Sequence, residues 1–198
     1  MNINTTYSTS EFDDQQQQQQ DKQESELIRK GDFLCKQLKE FSKAIQVYDQ
    51  VIEMNPRSAE AFNSKGNALF EMKNYPAAID YFDASIEIDP TFINAYNNKG
   101  NCLYALKFYD EAIQQYNNAI QLDSAYIHAY NGKGNALLEK QEYDDAIECF
   151  RKAIEIDSGY VLAYNGYGNA LLKNQEFDSA LECFEMALQL ENPFFLDG

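Results

Sequence analysis

Ala95-Tyr96-Asn97-Asn98-Lys99-Gly100-Asn101-Cys102-Leu103 is one of four nearly identical strings in this chain. The others are Ala61-Phe62-Asn63-Ser64-Lys65-Gly66-Asn67-Ala68-Leu69, Ala129-Tyr130-Asn131-Gly132-Lys133-Gly134-Asn135-Ala136-Leu137 and Ala163-Tyr164-Asn165-Gly166-Tyr167-Gly168-Asn169-Ala170-Leu171, each displaced by 34 residues. A fixed period of that size marks stacked supersecondary units, each burying its apolar face against the next. Within one period, Phe62, Leu69 and Met72 are spaced for one face of a helix. A break follows at Lys73-Asn74, and a second helix starts near Pro76, whose missing N–H is harmless in a first turn. That helix presents Ala78, Ile79, Phe82 and Ile86 and stops at Asp89-Pro90, because proline cannot carry it onward. The chain therefore reads as all-α, with five helix-turn-helix units at residues 25–58, 59–92, 93–126, 127–160 and 161–194.

Columns at this period describe a core. One column is small: Ala44, Ala78, Ala112, Ala146 and Ala180. Another is Gly66, Gly100, Gly134 and Gly168. A helical glycine costs about 1 kcal/mol against alanine, so its recurrence implies an approach too close for a Cβ. Opposite stand Phe41, Tyr75, Tyr109, Tyr143 and Phe177, and Tyr48, Phe82, Tyr116, Phe150 and Phe184. Small columns facing aromatic ones interlock without tryptophan, of which the chain has none.

This pattern resembles the tetratricopeptide repeat family, whose 34-residue signature runs aromatic, Leu-Gly, Tyr, Ala, Phe, Ala and a closing Pro. In the third unit the matching residues are Tyr96, Gly100, Tyr109, Ala112, Tyr116 and Ala119, and the five units together span 170 of the 198 residues. The resemblance implies a right-handed α-α superhelix, a solenoid of residues 23–194. The first unit departs most, with Asp32 in the glycine column and none of the asparagines. Serines replace the closing proline at Ser124 and Ser158. Lys39, Lys73, Lys107, Gln141 and Gln175 stand where the family places a glycine between the paired helices. A left-handed backbone there costs each of them roughly 1 kcal/mol.

The resemblance further implies that the first helix of each unit lines a concave groove. Two columns on that helix are asparagine: Asn63, Asn97, Asn131 and Asn165, then Asn67, Asn101, Asn135 and Asn169, four residues on and on the same face. Asparagine is a mediocre helix former, and its carboxamide both donates and accepts, so the ladders are expected to grip the backbone of an extended peptide. The alternative is that they tie neighbouring helices together, with the second ladder the more structural. Phe70, Tyr104, Leu138 and Leu172 supply apolar contacts beside them. Glu60, Asn94, His128 and Leu162 form a further groove column, in which His128 is read as solvated rather than catalytic. Lys65, Lys99 and Lys133 are expected to lay their stems along the helix pair.

The composition narrows the function. A formal charge of −16 and a pI near 4.3 disfavour nucleic acid and anionic membrane surfaces, which require clustered cations. No secretory signal or membrane-spanning run is seen, so a cytoplasmic location without membrane insertion is expected. Cys35, Cys102, Cys149 and Cys183 lack a CxxC pair and read as reduced core residues. The acidic residues of the second helices are too evenly spread for a metal and read as a solvated face. With no catalytic, cofactor or metal constellation, the expected function is a non-catalytic scaffold that binds other proteins through extended segments. The alternatives are a chaperone co-factor that binds a chaperone C-terminal tail, and a substrate-binding fragment similar to the arm of protein O-GlcNAc transferases. Arg29 lacks the asparagine companion of the chaperone clamp, because Phe33 stands there.

The ends are read separately. Residues 1–22, with Gln15 to Gln20, are too polar to bury a core and read as a disordered tail, although the Gln run could extend the first helix backwards. Residues 195–198 form a C-terminal tail. Phe194 and Phe195 could fold back over Leu181, Phe184 and Leu188, or this end could associate with a second copy.

Overall fold

The computed structural model of the chain describes residues 6–192, with side chains from Gln15 onward. These residues form ten α-helices: α1 (Thr6–Lys36), α2 (Phe41–Met54), α3 (Ala59–Glu71), α4 (Tyr75–Ile88), α5 (Ile93–Ala105), α6 (Tyr109–Leu122), α7 (Ile127–Glu139), α8 (Tyr143–Ile156), α9 (Val161–Lys173) and α10 (Phe177–Glu191). Contacts group the chain into two compact units, residues 1–89 and 90–198. In the first unit α1 pairs with α2, α3 pairs with α4, α2 packs on α3, and α1 reaches α3. In the second unit the pairs are α5/α6, α7/α8 and α9/α10, joined by α6 on α7 and α8 on α9. There α5 touches α7 and α7 touches α9, with no such contact among α6, α8 and α10 in the described residues. The odd-numbered helices thus form the inner edge of this unit.

The glycine and aromatic columns meet as expected, but the crowding comes from a ring rather than from helix backbone. A Cβ on Gly100 would lie 2.7 Å from Tyr116 Cε1, one on Gly134 2.8 Å from Phe150 Cε1, and one on Gly168 2.7 Å from Phe184 Cε1. Each ring belongs to the second helix of the same pair. Two rings are also held from the following pair: Gly132 meets Tyr116, and Gly166 meets Phe150. Tyr116 and Phe150 are therefore clamped between two glycines and are fully buried. In the first pair Gly31, one residue before the expected column, meets the Tyr48 ring, while Asp32 Oδ1 accepts the Tyr48 hydroxyl at 2.9 Å. Burial, with this bond to Asp32 and its charge, pushes the Tyr48 phenol well above its ordinary value.

Each first helix turns into its partner through a left-handed residue: Lys39 (φ 53°), Lys73 (φ 60°), Lys107 (φ 66°), Gln141 (φ 64°) and Gln175 (φ 67°). At Lys73, its N–H reaches Phe70 O at 2.8 Å and the Asn74 N–H reaches Leu69 O at 2.9 Å. These are the paired bonds that close a helix on a left-handed residue. The sequence uses five side-chain-bearing residues where glycine would carry no steric penalty. Between pairs an Asx turn takes over. Asp123 Oδ1 accepts from Ala125 N at 2.8 Å, Asp157 Oδ1 from Gly159 N at 2.8 Å, and Asn55 Oδ1 from Arg57 N at 3.0 Å. This local bond shapes the turn whether proline or serine follows, which explains how Ser124 and Ser158 are tolerated.

The amino-terminal stretch differs from the disordered tail expected over residues 1–22: α1 is helical from Thr6. Glutamine is a good helix former, and Gln17 Nε2 donates to Asp21 Oδ1 at 2.8 Å one turn later. The second unit of support is tertiary. Gln20 Nε2 donates to Met54 O at 3.1 Å, and Asn55 Nδ2 donates to Glu24 Oε2 at 2.8 Å, so the end of α2 fastens the middle of α1. At the other end, Leu181 and Leu188 on α10 are 58% and 60% exposed. The fold-back or self-association expected of Phe194 and Phe195 lies outside the described residues.

Tyr116 carries a further bond: its hydroxyl donates to Asn101 Oδ1 at 2.8 Å. Tyr116→Phe keeps the ring between Gly100 and Gly132 but leaves that amide without its donor. Chemical denaturation is expected to show a loss of about 1 kcal/mol. An unchanged midpoint would mean that Asn101 finds another partner.

Candidate functional site

The two asparagine ladders have different surroundings. In the first ladder, Asn63 and Asn97 are 6% and 7% exposed, and Asn131 and Asn165 are half-buried. Among the described residues, the buried side-chain oxygens without a hydrogen-bond partner are Asn97 Oδ1 and Asn131 Oδ1. They occupy the same position on α5 and α7, which touch. The amide of Asn97 makes one long bond, Nδ2 to Asn98 Oδ1 at 3.5 Å. In the second ladder, Asn101 is engaged by Tyr116, whereas in the units of Asn67, Asn135 and Asn169 the residues at the position of Tyr116 are Phe82, Phe150 and Phe184, which carry no hydroxyl. Asn67 and Asn135 are half-buried and Asn169 is exposed. At Asn101 the amide oxygen is thus taken up by a bond inside the helix pair.

Of the apolar candidates, Phe70, Tyr104 and Leu138 are half-buried and Leu172 is exposed. Phe70 packs on Tyr75 and Tyr104 on Tyr109, with ring centroids 5.4 Å and 5.6 Å apart, across the turns that follow α3 and α5. Asn63, Asn67 and Phe70 lie in the first unit; the other candidates lie in the second. The column before the first ladder holds an arrangement that periodicity did not reveal. His128 sits edge-on to Tyr126 at 5.5 Å and to Tyr160 at 5.8 Å. His128 Nδ1 lies 3.3 Å from Tyr160 Oη, and the Tyr126 hydroxyl donates to Asn94 Oδ1 at 2.8 Å. Burial pushes both phenols up.

Lys65 does more than lay its stem along the helices. Its ammonium pairs with Asp49 and lies 4.3 Å from the centroid of the Tyr81 ring. Burial disfavours its charge, but bonds to Asp49 and Tyr81 outweigh that and raise its pKa. The four cysteines are free and buried, as expected. Burial raises the Cys102 thiol to about 12 and the Cys149 thiol to about 11, so neither is a ready nucleophile. Among the described residues no group of His, Cys, Asp and Glu could hold a metal, and no helix is long and apolar enough to cross a membrane.

Sequence profiles described as TPR repeat match residues 34–73, 100–141 and 134–175, and profiles described as tetratricopeptide repeat match 59–92, 81–114 and 161–193. The chain belongs to the tetratricopeptide repeat family. Among solved structures it is similar to MamA, at 27% identity and TM-score 0.71, over 80% of this chain and 93% of that one. It is also similar to PilF of Pseudomonas aeruginosa (21% identity, TM-score 0.79, 86% and 77% covered). A third is YrrB (22% identity, TM-score 0.65, 86% and 87% covered), a TPR protein with an unusual peptide-binding site. No curated protein matches the sequence. Tetratricopeptide repeats mediate protein–protein interaction, so the fold places this chain among binding scaffolds.

Proposed function

We propose that this chain is a non-catalytic scaffold whose asparagine-lined inner helices hold an extended segment of a partner protein. One observation carries the reading: the buried, unpaired carbonyl oxygens of Asn97 and Asn131 on adjacent inner helices. Leaving such an acceptor unpaired costs about 1–3 kcal/mol. Both oxygens are closed to solvent, so a donor from outside the fold meets them only after a small side-chain rotation, and an extended peptide offers backbone N–H groups whatever its side chains. The peptide-binding site of YrrB supports this use of the fold. Asn165 continues the column on α9, and Asn135 and Asn169 add amides that no phenol occupies.

A peptide-display selection against the full chain yields the ligand for the test. Asn97→Ala with Asn131→Ala is expected to weaken binding roughly 5- to 100-fold, at about 1 kcal/mol for each lost bond. The bonds proposed here join uncharged amides to uncharged peptide groups, so affinity should depend only weakly on salt. A double variant that binds normally while melting several degrees lower assigns these asparagines to helix packing and ends the proposal.

A further inference from the structure

We infer that the inner edge of residues 90–198 selects uncharged segments and recognises them by one aromatic or branched apolar side chain seated at Tyr126, His128, Tyr160 and Leu162. This rests on the groove reading above.

The charge distribution supplies the first argument. The three inner helices α5, α7 and α9 carry only Lys99, Lys133, Lys173 and Glu139 as charged residues. Lys99 has a partner of its own, and Glu139 accepts the Tyr109 hydroxyl at 3.4 Å. The carboxylates concentrate instead on α6, α8 and α10, at Asp110, Glu111, Asp144, Asp145, Glu182 and Glu185 among others. A charged ligand side chain entering at the aromatic row loses water there, and the remaining fixed charges, Lys133, Lys173 and Glu139, stand at least five residues further along their helices than His128 or Leu162, so little counter-charge offsets that cost. An uncharged one meets no such penalty.

The aromatic row supplies the second argument. Tyr126, His128 and Tyr160 form successive edge-to-face contacts, with interplanar angles of 72° and 76°. The outer rings are pinned by bonds to Asn94 and His128, so the row is ordered before any ligand arrives. Leu162, two residues beyond Tyr160 and one repeat after His128, stands at the equivalent position on α9 and is 58% exposed. His128 lies three residues before Asn131, and Asn94 three before Asn97, which puts the row and the unpaired amide oxygens on one helix face. A ligand held by its backbone at the asparagines therefore carries a neighbouring side chain onto the rings. Edge-to-face rings take a further ring or a branched aliphatic group in the same geometry.

The test is selection of random twelve-residue peptides displayed on phage against the full chain, followed by calorimetry with the synthetic form of the most enriched sequence. The expected sequences are uncharged through their shared core and have one Phe, Tyr or Leu in common. His128→Ala and Leu162→Ser, both at exposed positions, should each weaken binding roughly 3- to 10-fold, Leu162→Ser with the melting temperature unchanged and His128→Ala with a small decrease, because it also removes the contacts to Tyr126 and Tyr160. Enrichment of Lys/Arg or Asp/Glu clusters, or of peptides indifferent to both substitutions, overturns the inference. If those peptides still lose affinity with Asn97→Ala and Asn131→Ala, the groove reading survives that failure. A selection without enrichment, or with peptides indifferent to all four substitutions, overturns both.

Discussion

Phe150→Ala is expected to lower stability by about 3–5 kcal/mol, the range for truncating a fully buried aromatic. The ring has no exposed surface and is packed against Gly134 from its own pair and Gly166 from the next. Both neighbours lack a Cβ, so neither has a side chain that could swing into the space, and the cavity stays open. The loss should appear as a lower urea midpoint, with amide exchange accelerated in α7, α8 and α9 before the rest of the chain, because repeat arrays transmit a defect chiefly to their neighbours. Phe150→Tyr is the matching control. It reproduces the arrangement of Tyr116, whose hydroxyl meets Asn101, and Asn135 stands at the equivalent place. That variant should be close to neutral. A Phe150→Ala protein that loses less than about 1 kcal/mol would show that the two helices collapse onto each other and that the glycines do not set their spacing.

Replacing Lys39, Lys73, Lys107, Gln141 and Gln175 together by glycine is expected to raise stability by about 3 kcal/mol. Each has φ between 53° and 67°, where a Cβ crowds the following carbonyl. Relief of that strain is worth about 1–2 kcal/mol, and glycine returns about 0.4–1 kcal/mol through the freer unfolded chain. A net gain near 0.6 kcal/mol per site follows. The sites are separate turns, so their effects should add. Five alanines at the same positions retain the strain and should bring no gain of this size. Equal gains from both sets would locate the effect in the removed side chains rather than in the backbone.

The sequence by itself determined the period, the helix pairs, the glycine-to-aromatic packing and the places of the five turns, whose left-handed backbone the structure shows. Each of these follows from a local rule repeated every 34 residues. Lys73 needs a positive φ because a helix ends there, and Gly100 lacks a side chain because a ring one helix away claims the space. The tertiary structure decided what depends on where a neighbour's atoms lie. Gly132 and Gly166 clamp rings of the preceding pair, and in the first pair Gly31 meets the Tyr48 ring while Asp32 accepts its hydroxyl. The glutamine run is helical because α2 supplies Met54 O and Asn55 as anchors that composition does not reveal. The same holds for the candidate site. The ladders of asparagines were legible as columns, yet an amide's state depends on the group beside it: Asn101 meets a phenol, while the oxygens of Asn97 and Asn131 meet no donor. The Tyr126–His128–Tyr160 row joins residues from successive turns and helices, and only packing brings their rings together.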